Sequence, residues 1–564
     1  MPYELLKMGN FIAYFNIIAL LLCTALVCAA FYKELAFFPE EASLERKERG
    51  YAMPLLIILA AALLLRLWGF GLIPGGINQD GAMAAVDGKA LADYGTDRFG
   101  TRLPAHLYAW GFGQMSSLLS YLIAGFVKLF GLSTVTARLP QLLASLMGGV
   151  CFYVFVREGF GKRAGLIAAA LLAINPWHMM QSRWALDCNL LPHFFMAGLC
   201  CLQHGLKARR GWIYVSMIFF GLCMYCYGIA IYTVSAFLLV LGLVLLFRKQ
   251  LKLTELLACA LVWLLVSWPF IFTMAINYFG WETVSLPFVT MQYFKYSVRS
   301  GDILFFSSDF MGQLLLNLKS LVNVVLLQKK DLPWNDMSGY GTMYIFSTPF
   351  MFLGLFAMMK SRGTGRALGL AGLLSGVWAG LVTNSVNINR VNIIFYFVLL
   401  LIALGFELGI KHFRPAALPV AALYFAAAIM MCSAYFTDYA ESVEKYFYKG
   451  FGEALRLAED SGADVIYVTA DAQAEGYAHV SEILTLFYDE TDALYYQGKS
   501  SVNKGEELLP YAERFRYVSV TGDVVARARE DSAFVALASD APCFPRSEYK
   551  IIYCGGYICA LPLG

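Results

Sequence analysis

A series of apolar stretches, each long enough to cross a lipid bilayer, constrains the fold of this chain more than any other feature of its sequence. A transmembrane helix needs roughly 20 consecutive apolar residues. The 564-residue chain is 59% hydrophobic and only 15% charged, with a mean hydropathy of +0.61. This composition excludes an ordinary soluble domain. The sequence therefore predicts a polytopic α-helical membrane protein.

The apolar stretches place about twelve spans along the chain. Their approximate positions are 11–32, 53–74, 136–156, 164–177, 189–206, 212–227, 229–247, 253–276, 342–359, 367–384, 391–409 and 415–436. The segment 115–131 is also apolar. Hydropathy alone leaves it open whether this segment is a further span or a helix at the membrane surface.

The basic residues of the short loops set the orientation, because Lys and Arg are concentrated in cytoplasmic loops. With these spans, every basic cluster falls on the same side: Arg46–Arg49, Arg157–Arg163, Lys207–Arg210, Arg248–Lys252, Lys360–Arg366 and Lys411–Arg414. A further full crossing at 115–131 would reverse every later loop, so this segment is predicted to lie at the membrane surface. The N-terminus and the other loops are then extracytoplasmic.

These assignments divide the chain into three parts. Residues 1–50 hold an extra N-terminal span and a cytoplasmic loop, and residues 51–436 form a transmembrane domain with the outer loops 75–135 and 277–341. In residues 437–564 an amphipathic helix, a strand at Val465–Thr469 and three later strand-like stretches predict a small extracytoplasmic α/β domain. We expect a multi-pass protein of the cell (plasma) membrane.

Charge and cysteine content limit the function further. The formal net charge of +3 is small, so nucleic-acid binding is not predicted. Most of the thirteen cysteines lie in or beside apolar stretches, where Cys behaves as a small hydrophobic residue. The Cys223-x-x-Cys226 spacing suits a metal, but no His is nearby and a buried structural role is favoured. A disulfide among the three cysteines of the C-terminal tail is left open.

The loop after the second span contains the first candidate for chemistry. Asp80 follows the helix-breaking Pro74-Gly75-Gly76, just beyond an apolar stretch. A carboxylate at the rim of an apolar region has its pKa raised by desolvation, which suits a general base near neutral pH. Taken alone, Asp80 is more simply interpreted as a solvated loop residue than as a base.

Three other outer segments carry charges. Arg183 and Asp187 lie four residues apart between two short spans, either as a functional pair or as an ordinary helix-surface pair. Arg390 begins a late span, where an Arg either holds a phosphate or reaches a lipid headgroup. Lys329 and Lys330 lie on the outer side against the charge trend, which indicates an anion nearby. Together with Asp80, these segments bring carboxylates and cations to one membrane face.

The order of these motifs resembles the GT-C glycosyltransferases, which include the dolichyl-phosphate-mannose protein mannosyltransferases and the lipid A aminoarabinose transferases. The resemblance runs from about residue 50 to 436, through "NQDG", "RLPAHLYAWGFGQMSSLLSYL", "KLFGLSTVTARLPQLLASLMGG", "NPWHMMQSRWALDCNLLPHFFMAGL" and "NINRVNIIFYFVLLLIALG". It implies a helical bundle with surface helices and outer loops. It also implies transfer of a sugar from a polyprenyl-phosphate sugar, usually with inversion.

The resemblance implies roles for single residues. The first-loop aspartate corresponds to Asp80 as general base, and Asp187 is a second catalytic candidate. The residues expected to contact the donor phosphate are Arg183, Arg390, Arg102 and Lys330. The residues expected to line the substrate pocket are His106, Trp110, Gln114 and Asp87.

One departure from the family is clear. The family usually has Asp-Glu where this chain has Asp80-Gly81, which implies an altered acceptor, lower activity, or a neighbour such as Asp87 in place of the Glu. Because no clean Asp-x-Asp motif is present, no cofactor is predicted, and a divalent metal is left open. The expected partners are the lipid bilayer, a polyprenyl-phosphate (most simply undecaprenyl-phosphate) sugar donor, and an acceptor that is a lipid, a surface polymer or a protein.

Two other functions stay open at this stage. A transporter or lipid flippase would need ionisable residues deep within spans, interrupted helices and internal repeats. Most charges of this chain lie at span ends instead, and Arg66 is the main exception. A catalytically inactive receptor or scaffold is kept open by Gly81, because the usual acidic residue is absent there.

Overall fold

A computed structural model describes residues 2–36, 51–109, 114–295, 303–329, 331–471, 478–528 and 531–563, and most of them are helical. The helices are α1 (Pro2–Ala36), α2 (Ala52–Leu67), α3 (Gln79–Tyr94), α4 (Leu118–Phe130), α5 (Thr134–Phe160), α6 (Lys162–Ala173), α7 (Pro176–Gln181), α8 (Leu191–Lys207), α9 (Gly211–Leu222), α10 (Ala230–Phe247), α11 (Leu253–Phe279), α12 (Phe310–Val325), α13 (Thr348–Lys360), α14 (Thr364–Val382), α15 (Ile394–His412), α16 (Ala417–Ala434), α17 (Ala440–Val443), α18 (Phe451–Asp460), α19 (Ala478–Tyr488), α20 (Ala493–Tyr496), α21 (Tyr511–Arg514) and α22 (Gly522–Ala526). The strands are β1 (Leu107–Tyr108), β2 (Gln114–Met115), β3 (Val284–Leu286), β4 (Val289–Met291), β5 (Val465–Thr469), β6 (Val502–Asn503), β7 (Glu506–Glu507), β8 (Phe515–Val518), β9 (Ser532–Leu537), β10 (Tyr549–Cys554) and β11 (Tyr557–Pro562).

Among the described residues, seven helices are long and apolar enough to cross a membrane, judged by length and composition. They are Phe11–Glu34, Thr134–Phe160, Ala230–Phe247, Leu253–Phe279, Thr364–Val382, Ile394–His412 and Arg414–Tyr446. Every predicted span coincides with a helix, yet the predicted number of spans is not confirmed. The reason is helix length: α6 has only 12 residues and α2 only 16, short of the roughly 20 that a crossing needs.

Two apolar helices lie in the predicted outer loops. The segment 115–131 contains α4, whose 13 residues extend only about 20 Å, so its length suits the predicted position at the surface. The second helix, α12, lies within 277–341 and was not predicted. Its buried residues Asn317, Leu321 and Val324 recur at helical spacing, so hydrophobic periodicity would have revealed it.

The centre of the bundle depends on two glycines. A Cβ atom added to Gly354 of α13 would lie 1.7 Å from the Leu401 carbonyl of α15. One added to Gly405 of α15 would lie 2.1 Å from the Phe350 carbonyl of α13. The two helices therefore touch backbone to backbone, which only small residues permit. This contact holds α15 at the core, and α15 leads back to the turn that contains Arg390.

The chain after the last candidate span contains a five-stranded sheet with the order β10-β11-β9-β5-β8. β5 pairs in parallel with β8 and β9, while β11 pairs antiparallel with β9 and β10. The strand expected at Val465–Thr469 is β5, and the three later strand-like stretches contain β8, β9, and the hairpin of β10 and β11. All thirteen cysteines of the chain are free in this structure, including the three of the tail.

The C-terminal part packs against the first outer loop. The Tyr94 hydroxyl donates to Asp492 Oδ2 at 2.7 Å, and Gln497 Nε2 donates to the Arg98 carbonyl at 3.0 Å. The ring of Tyr496 lies 6.0 Å from that of Phe99, between centroids. The helix α3 is therefore held between the membrane bundle and helices of the C-terminal part.

Candidate active site

Asp80 lies in the first turn of a helix, because the outer loop expected after the second span is helical from Gln79 to Tyr94. Asn78 precedes α3 in extended backbone conformation. In the amide orientation that satisfies both partners, Asn78 accepts from the Gly81 N–H at 3.2 Å and donates to the Ala185 carbonyl at 3.1 Å. Asn78 thus caps the first turn of α3 and joins it to the segment after α7. The positive end of the helix dipole favours the carboxylate form of Asp80.

A small cavity lies against Asp80. Five separate segments of the chain line it: Asn78–Asp80, Trp184 with Leu186, Trp334, Asn389 and Tyr446–Tyr448. Its volume is about 50 Å³, which holds a few water molecules at roughly 10–15 Å³ of such space for each. A sugar ring does not fit without movement of the walls, so this form of the site is closed.

Aromatic side chains close the cavity. The rings of Trp184 and Phe447 meet edge to face with centroids 5.5 Å apart, and those of Trp334 and Tyr446 are 5.2 Å apart. The Tyr448 hydroxyl donates to Gln79 Oε1 at 3.2 Å. Each contact joins a residue near the C-terminal part to one of the earlier outer segments. The wall is therefore apolar with a polar edge beside Asp80.

Gly81 is the point where α3 touches the segment after α7. A Cβ atom at this position would lie 2.7 Å from the side-chain amide of Asn78 and 2.9 Å from the Ala185 carbonyl oxygen. A carbonyl cannot rotate away as a long side chain can, so any side chain at residue 81 forces the two segments apart. The Gly that departs from the family pattern is therefore required by this packing.

Asp187, the second catalytic candidate, is buried in a single helical turn, Asp187–Asn189. Its Oδ1 accepts the Cys188 N–H at 2.7 Å. Burial raises the pKa of the Cys188 thiol well above its usual range, and the charges of Asp187 and Asp80 raise it further. The charges of both predicted carboxylates therefore act on the same thiol, so the two residues lie in one region of the protein.

Arg183 is buried beneath the site, and its guanidinium is engaged by main-chain carbonyls. Its two terminal nitrogens donate to the carbonyls of Leu65, Arg66, Trp68 and Ile73, at 2.6–3.3 Å. These groups belong to the end of α2 and the turn after it, where unpaired carbonyls favour a cation. Because both terminal nitrogens already have partners, this structure favours a structural role for Arg183, and its expected phosphate contact stays a prediction.

The change Arg183→Lys is expected to lower the free energy of unfolding by about 1–3 kcal/mol, because an ammonium cannot reproduce a planar fork to several carbonyls. The matched control is Arg210→Lys, at a side chain that is half exposed. Thermal unfolding of the purified protein in detergent measures both. Equal unfolding temperatures of the two variants would contradict the structural role.

Two other buried arginines lie near this region, and both also bind carbonyls. Arg66 donates to the carbonyls of Leu172 and Ala173 and to His178 Nδ1, while Arg138 donates to those of Pro74 and Gly76. The transporter interpretation needs interior charges that are available to a solute. Arg66, the exception in the sequence, instead ties the ends of α2 and α6 together.

Asp87, expected in the substrate pocket, is instead part of a buried ion pair. Its Oδ2 accepts from Arg98 Nη1 at 2.6 Å and its Oδ1 from the Arg98 N–H at 3.1 Å. Burial raises the pKa of Asp87 to about 6, a shift that Arg98 opposes. Arg98 also donates to the carbonyls of Tyr108 and Ala109. Because both carboxylate oxygens are occupied, Asp87 does not replace the missing Glu in this structure.

The other expected pocket residues fall in the loop after α3. His106 is buried, with its ring edge to face against those of Phe270 and Phe294 at 5.2 and 6.4 Å. Gln114 pairs with Tyr108 across the β1–β2 ribbon. Trp110 lies outside the described residues. None of the residues that line the cavity of Asp80 comes from this loop.

The remaining expected phosphate ligands differ in position. Arg390 is half-buried in the turn before α15, next to the cavity residue Asn389, and its Nη1 donates to Thr383 Oγ1 at 2.8 Å. Arg102 is exposed and forms a β-bridge with Thr96. Lys330 lies outside the described residues. Of Arg390 and Arg102, which the structure describes, Arg390 is the one next to a residue that lines the cavity.

Sequence reasoning missed the aromatic residues 446–448 and the ion-pair partner Arg98. The burial of Asp87 could have been predicted from helical periodicity, since Met83, Asp87 and Leu91 share the buried face of α3. No local signal would have linked 446–448 to Asp80. Within the described residues, no group of three or more His, Cys, Asp or Glu side chains could hold a metal ion. The metal independence of the protein stays a prediction.

Comparisons with known proteins agree with the resemblance. Residues 116–272 match the family model described as dolichyl-phosphate-mannose-protein mannosyltransferase. No curated protein matches the sequence. The crystal structure of ArnT from Cupriavidus metallidurans bound to undecaprenyl phosphate aligns with a TM-score of 0.54 and 14% identity, over 91% of this chain and 98% of that chain.

Two further structures align less closely. The archaeal oligosaccharyltransferase AglB from Archaeoglobus fulgidus, in complex with an inhibitory peptide and a dolichol-phosphate, has a TM-score of 0.46 and 14% identity, over 76% of this chain and 63% of that chain. Arabinofuranosyltransferase AftD from Mycobacteria has a TM-score of 0.46 and 11% identity, over 92% of this chain and 40% of that chain. The assignment of the fold rests on ArnT, and the resemblance seen in the sequence is confirmed by that fold and the family match.

Proposed function

We propose that this chain, which has the fold and the family match of a GT-C membrane glycosyltransferase of the ArnT and protein-mannosyltransferase type, transfers a sugar from a polyprenyl-phosphate carrier to an extracytoplasmic acceptor. Asp80 is the proposed general base. The observation that supports this role is its position in a cavity built by five separate outer segments. Undecaprenyl phosphate is the proposed carrier, as in the bound ligand of ArnT.

The proposed reaction is a single displacement at the anomeric carbon. Asp80 takes the proton of the acceptor hydroxyl as the new bond from that oxygen to the anomeric carbon forms. The bond from the anomeric carbon to the carrier phosphate oxygen breaks, and the polyprenyl phosphate leaves with the electron pair. The configuration of the sugar is inverted. A positioned base of this kind contributes about 10²–10⁴-fold to a rate.

The departing phosphate needs a cation close to the site where its negative charge develops. Arg390 is the described candidate, because its turn supplies Asn389 to the cavity and its side chain is only half-buried. Lys330 stays a second candidate from the sequence. Arg183 is left out of this role because its terminal nitrogens hold the end of α2.

Binding of donor and acceptor requires the cavity to open. The Trp184–Phe447 and Trp334–Tyr446 contacts join different segments of the wall. In the described contacts no hydrogen bond links the two rings of either pair, so the rings can separate without breaking one. Separation of these rings gives access to Asp80 and leaves α3 in place, since Asn78 holds it to Ala185. The aromatic faces then become available to a sugar ring, which packs well on such surfaces.

The test is transfer of radiolabelled sugar from a panel of undecaprenyl-phosphate sugars, in membranes supplied with cell-envelope acceptors. The wild type is expected to use one donor, and Asp80→Asn is expected to lower that rate by about 10²–10⁴-fold, because the amide cannot accept the proton. Asp93→Asn is the matched control. Asp93 lies on the same helix, more than a third exposed as a side chain and paired only with Lys89 in the described contacts.

Each other result decides between the alternatives. Equal transfer by wild type and Asp80→Asn would remove Asp80 as the base and favour Asp187. Absence of transfer from every donor would favour the transporter or scaffold function.

A further inference from the structure

A long groove runs along the outside of the membrane bundle between α10 and α14. The two helices are antiparallel, and Trp378 Nε1 of α14 donates to the Tyr232 carbonyl at 3.1 Å where the groove ends on one side. The volume of the groove is about 840 Å³, within the range of roughly 300–1,000 Å³ that is common for ligand pockets. It is far larger than the cavity at Asp80.

The groove is apolar along most of its length. On α14, small residues four apart form its floor, namely Ala367, Ala371 and Ser375, and on α10 the side chains of Val240 and Val244 form one wall. Its lining extends along α10 from Thr233 to Arg248, about 22 Å at the helical rise. A surface of this length follows most of the roughly 30 Å hydrocarbon thickness and suits an extended lipid chain.

The other end of the groove is strongly basic. Arg248 at the end of α10, Arg362 before α14 and Arg366 in its first turn all line it, and no Asp or Glu does. Arg248 and Arg362 are exposed, and among the described contacts their side chains have neither hydrogen bond nor ion pair. Arg366 uses Nη1 on the Ser361 carbonyl at 3.0 Å. The first N–H groups of α14 add a partial positive charge.

This basic end is remote from the proposed active site. The opposite end of α14 leads to Thr383, which bonds Arg390 beside the cavity of Asp80. The 19 residues of α14 separate the two ends by about 28 Å. The groove is therefore distinct from the site of sugar transfer, and its arginines belong to the loops that are predicted to be cytoplasmic.

We propose that the groove binds one anionic phospholipid of the cytoplasmic leaflet. Its phosphate lies among Arg248, Arg362 and Arg366, and an acyl chain lies along the α10–α14 groove. The chemistry is complementary at both ends, because a basic pocket between helices suits an anionic headgroup and an apolar channel suits a hydrocarbon chain. A second copy of the protein fits less well, since a two-fold interface would place the arginine clusters close together.

The test is native mass spectrometry of the full-length protein, purified from membranes and then exposed to phosphatidylglycerol or phosphatidylcholine. The wild type is expected to retain one phosphatidylglycerol and to release phosphatidylcholine at the same collision energy. The variant Arg248→Gln with Arg362→Gln and Arg366→Gln is expected to lose at least 10-fold in phosphatidylglycerol occupancy. The control has an equal loss of charge on other loops predicted to be cytoplasmic, at Arg157, Arg209 and Arg414, none of which lines the groove.

A second variant tests whether lipid binding depends on the shape of the groove and not only on the charge of the arginines. Ala371→Phe fills the groove floor and leaves all three arginines in place, and it is expected to lower phosphatidylglycerol occupancy as well. Retention of the lipid by the triple variant would overturn the proposal. So would selective retention of a polyprenyl phosphate, or a dimer without bound lipid. Transfer activity plays no part in this readout, so failure of the proposed function leaves the result interpretable.

Discussion

Restoring the family's acidic residue by Gly81→Glu is expected to abolish sugar transfer rather than to improve it. The Cβ atom alone would approach the Ala185 carbonyl to 2.9 Å and the side-chain amide of Asn78 to 2.7 Å. The start of α3 must then move away from the segment that carries Trp184 and Leu186, which together with Asp80 line the cavity. The radiolabel assay is expected to give transfer below detection, together with a lower unfolding temperature.

A pair of alanine variants isolates the steric cause. An alanine in place of glycine within a helix usually stabilises it by about 1 kcal/mol. Gly125→Ala in α4, where a Cβ atom meets nothing within 4 Å, is expected to show that gain. Gly81→Ala is expected to be destabilising and to lower transfer. Higher activity of Gly81→Glu than of wild type would show that the glycine is a catalytic deficiency and would contradict the packing argument.

The change Arg98→Ala is expected to lower the free energy of unfolding by about 3–5 kcal/mol, because it leaves the Asp87 carboxylate buried without its cation. It also removes two bonds to the carbonyls of Tyr108 and Ala109. The control Lys89→Ala breaks the exposed pair with Asp93 on the same helix and is expected to cost about 1 kcal/mol or less. Unfolding in detergent at a fixed pH compares the two.

The effect of Arg98→Ala is expected to depend on pH in a definite direction. Burial raises the pKa of Asp87 to about 6, above the roughly 3.9 of an unfolded chain. The folded wild type therefore binds this proton more tightly than the unfolded chain does. The free energy of unfolding that this difference contributes is lost as pH rises from about 4 to 6. Without Arg98 the pKa is higher still, and the loss continues at higher pH. The deficit of the variant is therefore larger at pH 8 than at pH 5.

A double variant separates charge from packing. Asp87→Leu with Arg98→Met removes both charges and keeps most of the volume, and such replacements of buried pairs are often neutral or stabilising. It is expected to recover most of the stability that Arg98→Ala loses. An equally unstable double variant, or a deficit independent of pH, would show that the lost contacts of Arg98 with β1 dominate.

Much of the fold was predictable because hydropathy and local periodicity act over short distances. Each predicted span corresponds to a helix, and β5 has the residues expected from the alternation in Val465–Thr469. The number of full crossings was not predictable in this way. The helix α6 ends after 12 residues, just before a turn at Asn175-Pro176. Hydropathy does not reveal this end, because the apolar stretch of the sequence extends past the turn.

The candidate site was predictable only where a motif is local. Asp80, chosen from a local motif, does line a cavity, while the catalytic roles of Asp80 and Asp187 stay predictions. Arg183 shows the limit of that argument: an Arg at the same depth serves a phosphate or a helix end equally well. The choice depends on where α2 ends in space, which is set by tertiary packing. The ion pair of Asp87 was not predicted for the same reason, since its partner Arg98 lies in a loop that has no hydrophobic periodicity.

The cavity at Asp80 also determines when, during synthesis, the protein can become active. Its walls begin at residue 78 and are completed only by Tyr446–Tyr448, so four-fifths of the chain must leave the ribosome before a closed site exists. The part of the chain made before that point already contains Asp80, Trp184 and Trp334 but lacks their aromatic partners at 446–448. A chain that ends before Tyr446 therefore has Asp80 and lacks the aromatic residues that enclose its cavity.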